Sequence, residues 1–163
     1  MPEEGYSAEP EPLMTLAIPT YNRAPDLERL LTSLEPQIRA YPEIDLYISD
    51  NASEDETPQL VRRFQAAGMA IRYHRHETNV GADGNFLSCF RAARGQYFWL
   101  CGDDEAVLPG GVDLILEHLR SRPDLDILYL SSYDYLQDYL AEQMPDRFSI
   151  LEAIHVRQDL FQR

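Results

Sequence analysis

From residue 13 to residue 130 short apolar runs alternate with longer stretches whose apolar residues recur at helical spacing, and few folds accept that alternation. Residues 14–18 predict a first strand. Leu27, Leu30, Leu31, Leu34 and Ile38 then recur at helical spacing behind the start signal Pro25-Asp26. Residues 44–49 predict a second strand. Thr57 is expected to cap the next helix, with Pro58 at its first position, Leu60, Val61 and Phe64 inward and Gly68 at its end. A third strand over 70–73 precedes a polar loop and a helix whose buried face is expected to be Phe86, Leu87 and Phe90. Residues 97–101 predict a fourth strand. After Pro109-Gly110-Gly111 comes a helix with Val112, Ile115, Leu116 and Leu119 inward, then a fifth strand over 126–130. Strand and helix in repeated succession imply an α/β layer structure with a largely parallel sheet.

Ligands bind such sheets at the carboxyl ends of the strands, and three polar groups fall there: Thr20-Tyr21-Asn22, Asp50-Asn51 and Asp103-Asp104-Glu105. The third directly follows Tyr97-Phe98-Trp99-Leu100-Cys101, with only Gly102 between. Carboxylates at the mouth of a sheet suit a hard cation. Oxygen ligands hold Mg²⁺ or Mn²⁺, and such an ion bridges a protein to the phosphates of a nucleotide. An Asp at the second strand's end can accept a hydrogen bond from a base or from ribose hydroxyls, while Asp55 and Thr57 are expected to stabilise the loop and cap the helix. Arg75, between His74 and His76, either helps neutralise a diphosphate or is a solvated strand-end group.

Charge narrows the partners. With 28 acids against 14 bases, the net charge of −14 opposes binding to DNA or RNA. It would also repel a diphosphate unless a metal or a local Arg offsets it. No apolar stretch is long enough to cross a bilayer, and the first residues lack the basic and apolar regions of a secretion signal, so the expected location is cytoplasmic, with peripheral attachment at the inner face of a membrane left open. Cys89 and Cys101 lie in apolar segments without metal-ligand spacing and are expected to be buried thiols. Residues 1–12 are expected to form a disordered acidic arm, 13–131 the ligand-binding domain, and 132–163 a tail with a terminal helix over 149–161.

Four motifs in order over residues 13–115 resemble the inverting glycosyltransferases of family 2, which have the A-type (GT-A) fold. They are Pro19-Thr20-Tyr21-Asn22, then Asp50-Asn51-Ala52-Ser53-Glu54-Asp55-Glu56-Thr57, then Asn79-Val80-Gly81, then Gly102-Asp103-Asp104-Glu105. The segment from Asn79 through Asn85-Phe86 to Trp99-Leu100 and Asp103-Asp104 is similar to the abequosyltransferase-like branch that serves surface-polysaccharide synthesis. The resemblance implies a Rossmann-like sheet with helices on both faces and a metal-dependent transfer from a nucleoside diphosphate sugar to a saccharide or lipid-linked acceptor. It implies that Pro19, Thr20, Tyr21, Asp50, Asn51, Asn79, Gly81 and Asp103 bind the nucleotide. Asp104 and Glu105 are the implied metal ligands; Gly102 replaces the first acid of the common form, so which carboxylate ligates directly stays open.

No catalytic base is assigned. In this family the base is an acid on an acceptor-binding half downstream, a half expected to be missing here, and Asp134, Asp138 and Glu142 sit in no recognisable base motif. The alternative to an enzyme is a non-catalytic nucleotide-sugar-binding module acting through a partner chain. A sugar-nucleotide pyrophosphorylase would want a Gly-rich phosphate loop after the first strand, and none follows Ile18. The apolar tail residues Ile150, Leu151, Ile154, Leu160 and Phe161 suggest self-association.

Overall fold

The computed structural model describes residues 11–130 and 154–155. Four parallel strands, β1 (Met14–Thr20), β2 (Ile44–Asp50), β3 (Ile71–Arg75) and β4 (Tyr97–Leu100), form one sheet in the order β3-β2-β1-β4. Between them run α1 (Ala24–Ile38), α2 (Thr57–Ala66) and α3 (Gly81–Ala92). All seven residues of β1 are buried, as a central strand covered on both faces requires, which is why it reads as an almost unbroken apolar run. The path from β1 through β2 to β3 runs one way across the sheet, and the step to β4 reverses it. Right-handed crossovers therefore put α1 and α2 on one face and α3 on the other. The reversal makes a switch point between β1 and β4, where α/β sheets open a crevice at their carboxyl ends.

Alternation along the strands divides the core. Leu16, Ile18, Leu46 and Ile48 are buried on one side, where Leu27, Leu30, Leu31 and Leu34 of α1 supply the helical face. On the other, Ala17 and Tyr47 pack with Cys89 and Ala92 of α3 and with Phe98. Helix α2 ends with Gly68 at φ +95°; its N–H reaches the Gln65 carbonyl and that of Met69 the Phe64 carbonyl, the paired bonds of a Schellman stop.

The amino edge of the sheet is locked by polar contacts. Thr15 Oγ1 donates to Asp45 Oδ2 at 3.0 Å and accepts from the N–H groups of Arg94 and Gly95, each at 2.9 Å. Arg72 grips the Asp45 carboxylate with two nitrogens at 2.6 Å, donates to the Ala92 carbonyl at 2.8 Å and lies 4.7 Å from the Tyr47 ring centroid. Gly95 fits against β1 because it lacks a side chain: a Cβ there would stand 2.5 Å from the Thr15 nitrogen and 2.6 Å from the Met14 carbonyl carbon.

The chain divides after Pro109. In the second unit α4 (Gly111–Ser121) buries Val112, Ile115, Leu116 and Leu119, and β5 (Tyr129–Leu130) pairs antiparallel with β6 (Ile154–His155). Among the described residues no helix is long and apolar enough to cross a membrane.

Four expectations need correction. The fifth strand is shorter than 126–130 and belongs to its own two-stranded sheet. Residues 154–155, expected inside a terminal helix, form β6; the rest of that helix, the acidic arm up to residue 10 and Asp134, Asp138 and Glu142 lie outside the described residues. Thr57 is the first residue of α2 instead of its cap, and the acceptor before it is Asp55. Helix α3 turns Asn85 and Cys89 inward, leaving Phe86, Leu87 and Phe90 at 46%, 44% and 65% exposure. Phe90 meets Phe98 of β4 in a T-shaped contact, ring centroids 5.6 Å apart. The helix is rotated by the polar bonds Asn85 makes, described below, against the pull of its larger apolar residues.

Gly95→Ala is expected to cost about 1–3 kcal/mol or more, because the added methyl meets the backbone of β1 and no flexible side chain can yield. A urea melt of the variant beside the parent, followed by circular dichroism, measures it, and an unchanged midpoint would show that the amino edge tolerates a shift.

Candidate functional site

Register brings the polar groups together. Thr20 stands opposite Asp50, and Asp50 opposite Arg75, so the carboxyl ends of β1, β2 and β3 present one row. Asp50 is fully buried. Its Oδ1 accepts from the Ser53 N–H at 2.8 Å, its Oδ2 accepts from the Tyr73 hydroxyl, and Arg75 Nε lies 3.7 Å from Oδ2. Burial and the Asp50 carboxylate push the Tyr73 hydroxyl well above its ordinary range, so it remains a donor. Arg75, exposed at the end of β3, also donates to the Ser53 carbonyl at 2.8 Å, and its charge lies beside the buried Asp50.

The loop after β2 is stitched to the turn after β1. The Asn22 N–H donates to Ser53 Oγ at 2.9 Å, and the Glu54 N–H returns to Asn22 Oδ1 at 2.8 Å. Asn22 sits at φ 53° and Ala52 at φ 65°. Asp55 takes the N–H of Ala24 on one oxygen at 2.9 Å and that of Thr57 on the other at 3.0 Å, so one carboxylate receives the first residues of both α1 and α2. Burial would raise the Asp55 carboxyl, but the bonds from Thr57 and Ala24 outweigh it and hold it below its ordinary 3.8.

Asn51 is buried and committed. Its Nδ2 donates to Asn79 Oδ1 at 2.9 Å and to the Gly81 carbonyl at 3.3 Å, and its Oδ1 accepts from the Val80 N–H at 2.8 Å. Asn51, Asn79 and Gly81 thus come together as a clasp that fixes the start of α3. From α3, Asn85 Nδ2 donates to the Ser49 carbonyl at 3.1 Å and the Thr20 carbonyl at 3.4 Å, tying the ends of β1 and β2.

Across the switch point Thr20 Oγ1 donates to Asp103 Oδ2 at 2.8 Å. Asp103 is buried, and burial raises its carboxyl above the ordinary 3.8 against the bonds from Thr20 and Arg23. Arg23 Nη1 reaches both acids, Asp103 Oδ1 at 3.0 Å and Asp104 Oδ2 at 2.9 Å. Those bonds, to Asp104 first and then Asp103, raise the Arg23 guanidinium further above its ordinary value. The Asp104 side chain is 54% exposed and Arg23 48%, so this pair faces solvent. Gly102 makes room for it: a Cβ there would stand 2.8 Å from Asp104 Oδ1. Glu105 is exposed and its N–H closes the turn on the Gly102 carbonyl at 3.3 Å. Pro19 is buried in β1, and Tyr21 stands at the mouth, 43% exposed.

Among the described residues no three His, Cys, Asp or Glu side chains gather as a metal cage. Asp103 and Asp104 offer oxygen donors on one turn, which fits Mg²⁺ or Mn²⁺, ions commonly held through one or two carboxylates plus substrate phosphates. Cys89 and Cys101 are free and buried, and burial pushes their thiols up to about 11 and about 12. Tyr73 has no place in the sequence reading, and Arg23, Ser53 and Asn85 stand in it without the roles the geometry gives them. Arg23 carried a signal as the base next to Asn22 in a chain where acids outnumber bases, and Ser53 and Asn85 carried one as members of the motifs.

Comparison with known proteins agrees with this geometry. The profile described as glycosyl transferase family 2 matches residues 15–161. Abequosyltransferase RfbV of Salmonella typhimurium is 36% identical over 114 residues, 69% of this chain and 34% of that protein. Mannosyltransferase PcManGT from Pyrobaculum calidifontis, solved with GDP-Man and Mn²⁺, superposes with a TM-score of 0.62 at 24% identity, over 80% of this chain and 38% of that one. S. aureus TarS in complex with UDP superposes with a TM-score of 0.65 at 20% identity, over 76% and 36%. The fold is therefore GT-A. The chain spans about a third of the length of the curated relatives it matches.

Asp55→Ala is expected to remove both helix acceptors and cost about 1–2 kcal/mol, the range of a lost N-cap, at neutral pH. Since the folded carboxyl titrates below 3.8, its contribution is complete above that value and disappears as pH falls through the lower folded one. Urea melts of parent and variant across pH 7 to 2 should therefore converge at the acid end; a constant gap would assign the loss to packing.

Proposed function

The chain belongs to glycosyl transferase family 2, and on that footing we propose that its first unit is the donor side of a metal-dependent, inverting glycosyltransferase that moves a sugar from a nucleoside diphosphate to a polysaccharide or lipid-linked acceptor. One observation carries this: Thr20, Asp50, Asp103 and Asp104 converge on the carboxyl edge of the sheet at its switch point, a buried pair of acids on the inside and an exposed acid outside.

The gradation of exposure suggests a division of labour. Asp50 serves the base with the acceptor capacity that Ser53 and Tyr73 leave to it, and Arg75, with 42% of its side chain exposed, carries that pair to the surface. Tyr21 and the Pro19-Thr20 turn line the base pocket. Asp103, oriented by Thr20, accepts from the ribose hydroxyls. Asn51, Asn79 and Gly81 contribute by fixing the wall of the pocket. Asp104, the most exposed of the acids that Arg23 bridges, is the cation ligand, with Glu105 next to it on the turn. When bound, Mg²⁺ or Mn²⁺ supplies the charge that stabilises a departing diphosphate. The remaining requirement, a base for the acceptor hydroxyl, is assigned to no residue here.

Titration calorimetry of UDP and GDP, with and without Mn²⁺, tests this reading. Binding is expected to strengthen with Mn²⁺, and Asp104→Asn to abolish that gain while leaving the fold intact. Asp50→Ala is expected to weaken binding by about 1.5–3 kcal/mol, the worth of a hydrogen bond to a charged group. Equal affinity in excess chelator would remove the metal from the proposal. Donor hydrolysis measured on the same sample separates an enzyme from a binding module, which would bind without turnover.

A further inference from the structure

Asp104 is already in use. Arg23 Nη1 lies 2.9 Å from its Oδ2 and 3.0 Å from Oδ1 of Asp103, so a single guanidinium nitrogen sits between the two carboxylates. The arrangement is built, because Arg23 is held in place from both sides. The Asn22 N–H is bound to Ser53 and the Ala24 N–H to Asp55, which fixes the backbone on either side of Arg23. Asp103 is held by Thr20 at 2.8 Å, and the absence of a side chain at Gly102 leaves room for the Asp104 carboxylate. Asp26 lies 3.8 Å from Arg23 Nε, a second acid for the guanidinium when it leaves the first.

We propose that Arg23 is a cation placeholder: in the nucleotide-free protein its guanidinium neutralises Asp103 and Asp104, and it must give up Asp104 before that carboxylate can ligate a divalent cation. This rests on the reading of Asp104 as the metal ligand. Two cations cannot share so small a space without strong repulsion, since charges a few ångströms apart interact by about 1 kcal/mol even in bulk water and by more near a protein surface. Arg23 therefore suppresses metal binding in the absence of nucleotide. An incoming diphosphate changes the balance, because it gives the displaced guanidinium a planar anion to pair with and gives the cation further oxygens. Metal and nucleotide then bind as a coupled pair, each raising the other's affinity. In a chain of net charge −14, where stray cations are drawn to the surface, this keeps the site free until donor arrives.

The test is Mn²⁺ binding by electron paramagnetic resonance, with and without UDP or GDP, for the parent chain, Arg23→Met, Arg23→Lys and Asp104→Asn. Arg23 is half exposed and its neighbours' backbone bonds do not involve its side chain, so its variants are expected to keep the parent's circular dichroism. Arg23→Met is expected to bind Mn²⁺ alone about tenfold or more tightly than the parent, the effect of removing one opposing charge at contact distance. Arg23→Lys should fall between, and Asp104→Asn should lose the site. If the parent binds Mn²⁺ only with nucleotide and Arg23→Met gains nothing without it, the placeholder is overturned while the donor-site reading stands. If no variant and no condition yields bound Mn²⁺, the metal reading and the placeholder fall together.

Discussion

A carboxylate without solvent, set at the end of an interior strand, has to be answered by the protein itself, and much of the architecture around the site is that answer. Asp50 is fully buried, and the Ser53 N–H, the Tyr73 hydroxyl and Arg75 supply what water would have given. Ser53 lies in the loop after β2, and Tyr73 and Arg75 on β3, so satisfying one acid fixes that loop against β3. That loop then holds the turn after β1 through Ser53, Glu54 and Asp55, and the turn carries Arg23 to Asp103 and Asp104. Breaking a buried ion pair costs about 3–5 kcal/mol, and the partial exposure of Arg75 reduces its share of that. The consequence is positional more than energetic: loosening Asp50 would loosen the acids on the far side of the crevice.

The sheet was legible in the sequence because its two central strands are covered on both faces, and such strands show as predominantly apolar runs whatever surrounds them. The first two helices were legible for the complementary reason, a single leucine-rich stripe at helical spacing in α1 and a clean glycine stop in α2. Helix α3 misled. Its largest apolar side chains are Phe86, Leu87 and Phe90, and hydrophobicity alone says they go inward. What orients the helix is Asn85, whose amide must reach the carbonyls at the ends of β1 and β2, and no periodicity count registers a demand of that kind. The partner of Arg75 was out of reach for a similar reason: the sequence shows which residues are charged, while pairing across β2 and β3 depends on register.

The candidate site was legible as a set of places and not as a set of partners. Asp50, Asp103 and Asp104 stand where strand ends predicted, but Asn51, Asn79 and Gly81 turn out to spend their side-chain and backbone groups on one another. Motif residues of this sort shape a wall by holding backbone still. Local capping was open between two residues for a related reason: Asp55 precedes Thr57 by two positions, and either side chain can serve the helix start until the turn geometry selects one.

The hydrogen bond from Thr20 to Asp103 joins residues 83 apart in the chain. Between them lie β2, β3, β4 and all three helices of the sheet, so the two halves of the crevice meet only when β4 is seated beside β1. Contacts that close so long a loop carry an entropic cost and slow folding. A ligand that needs both residues cannot recognise any partly folded form of the unit; it selects the one in which the last strand is seated, and its binding energy is added to that docking step. The concentration of such a ligand would be a variable in the lifetime of the fold as well as in the occupancy of the site.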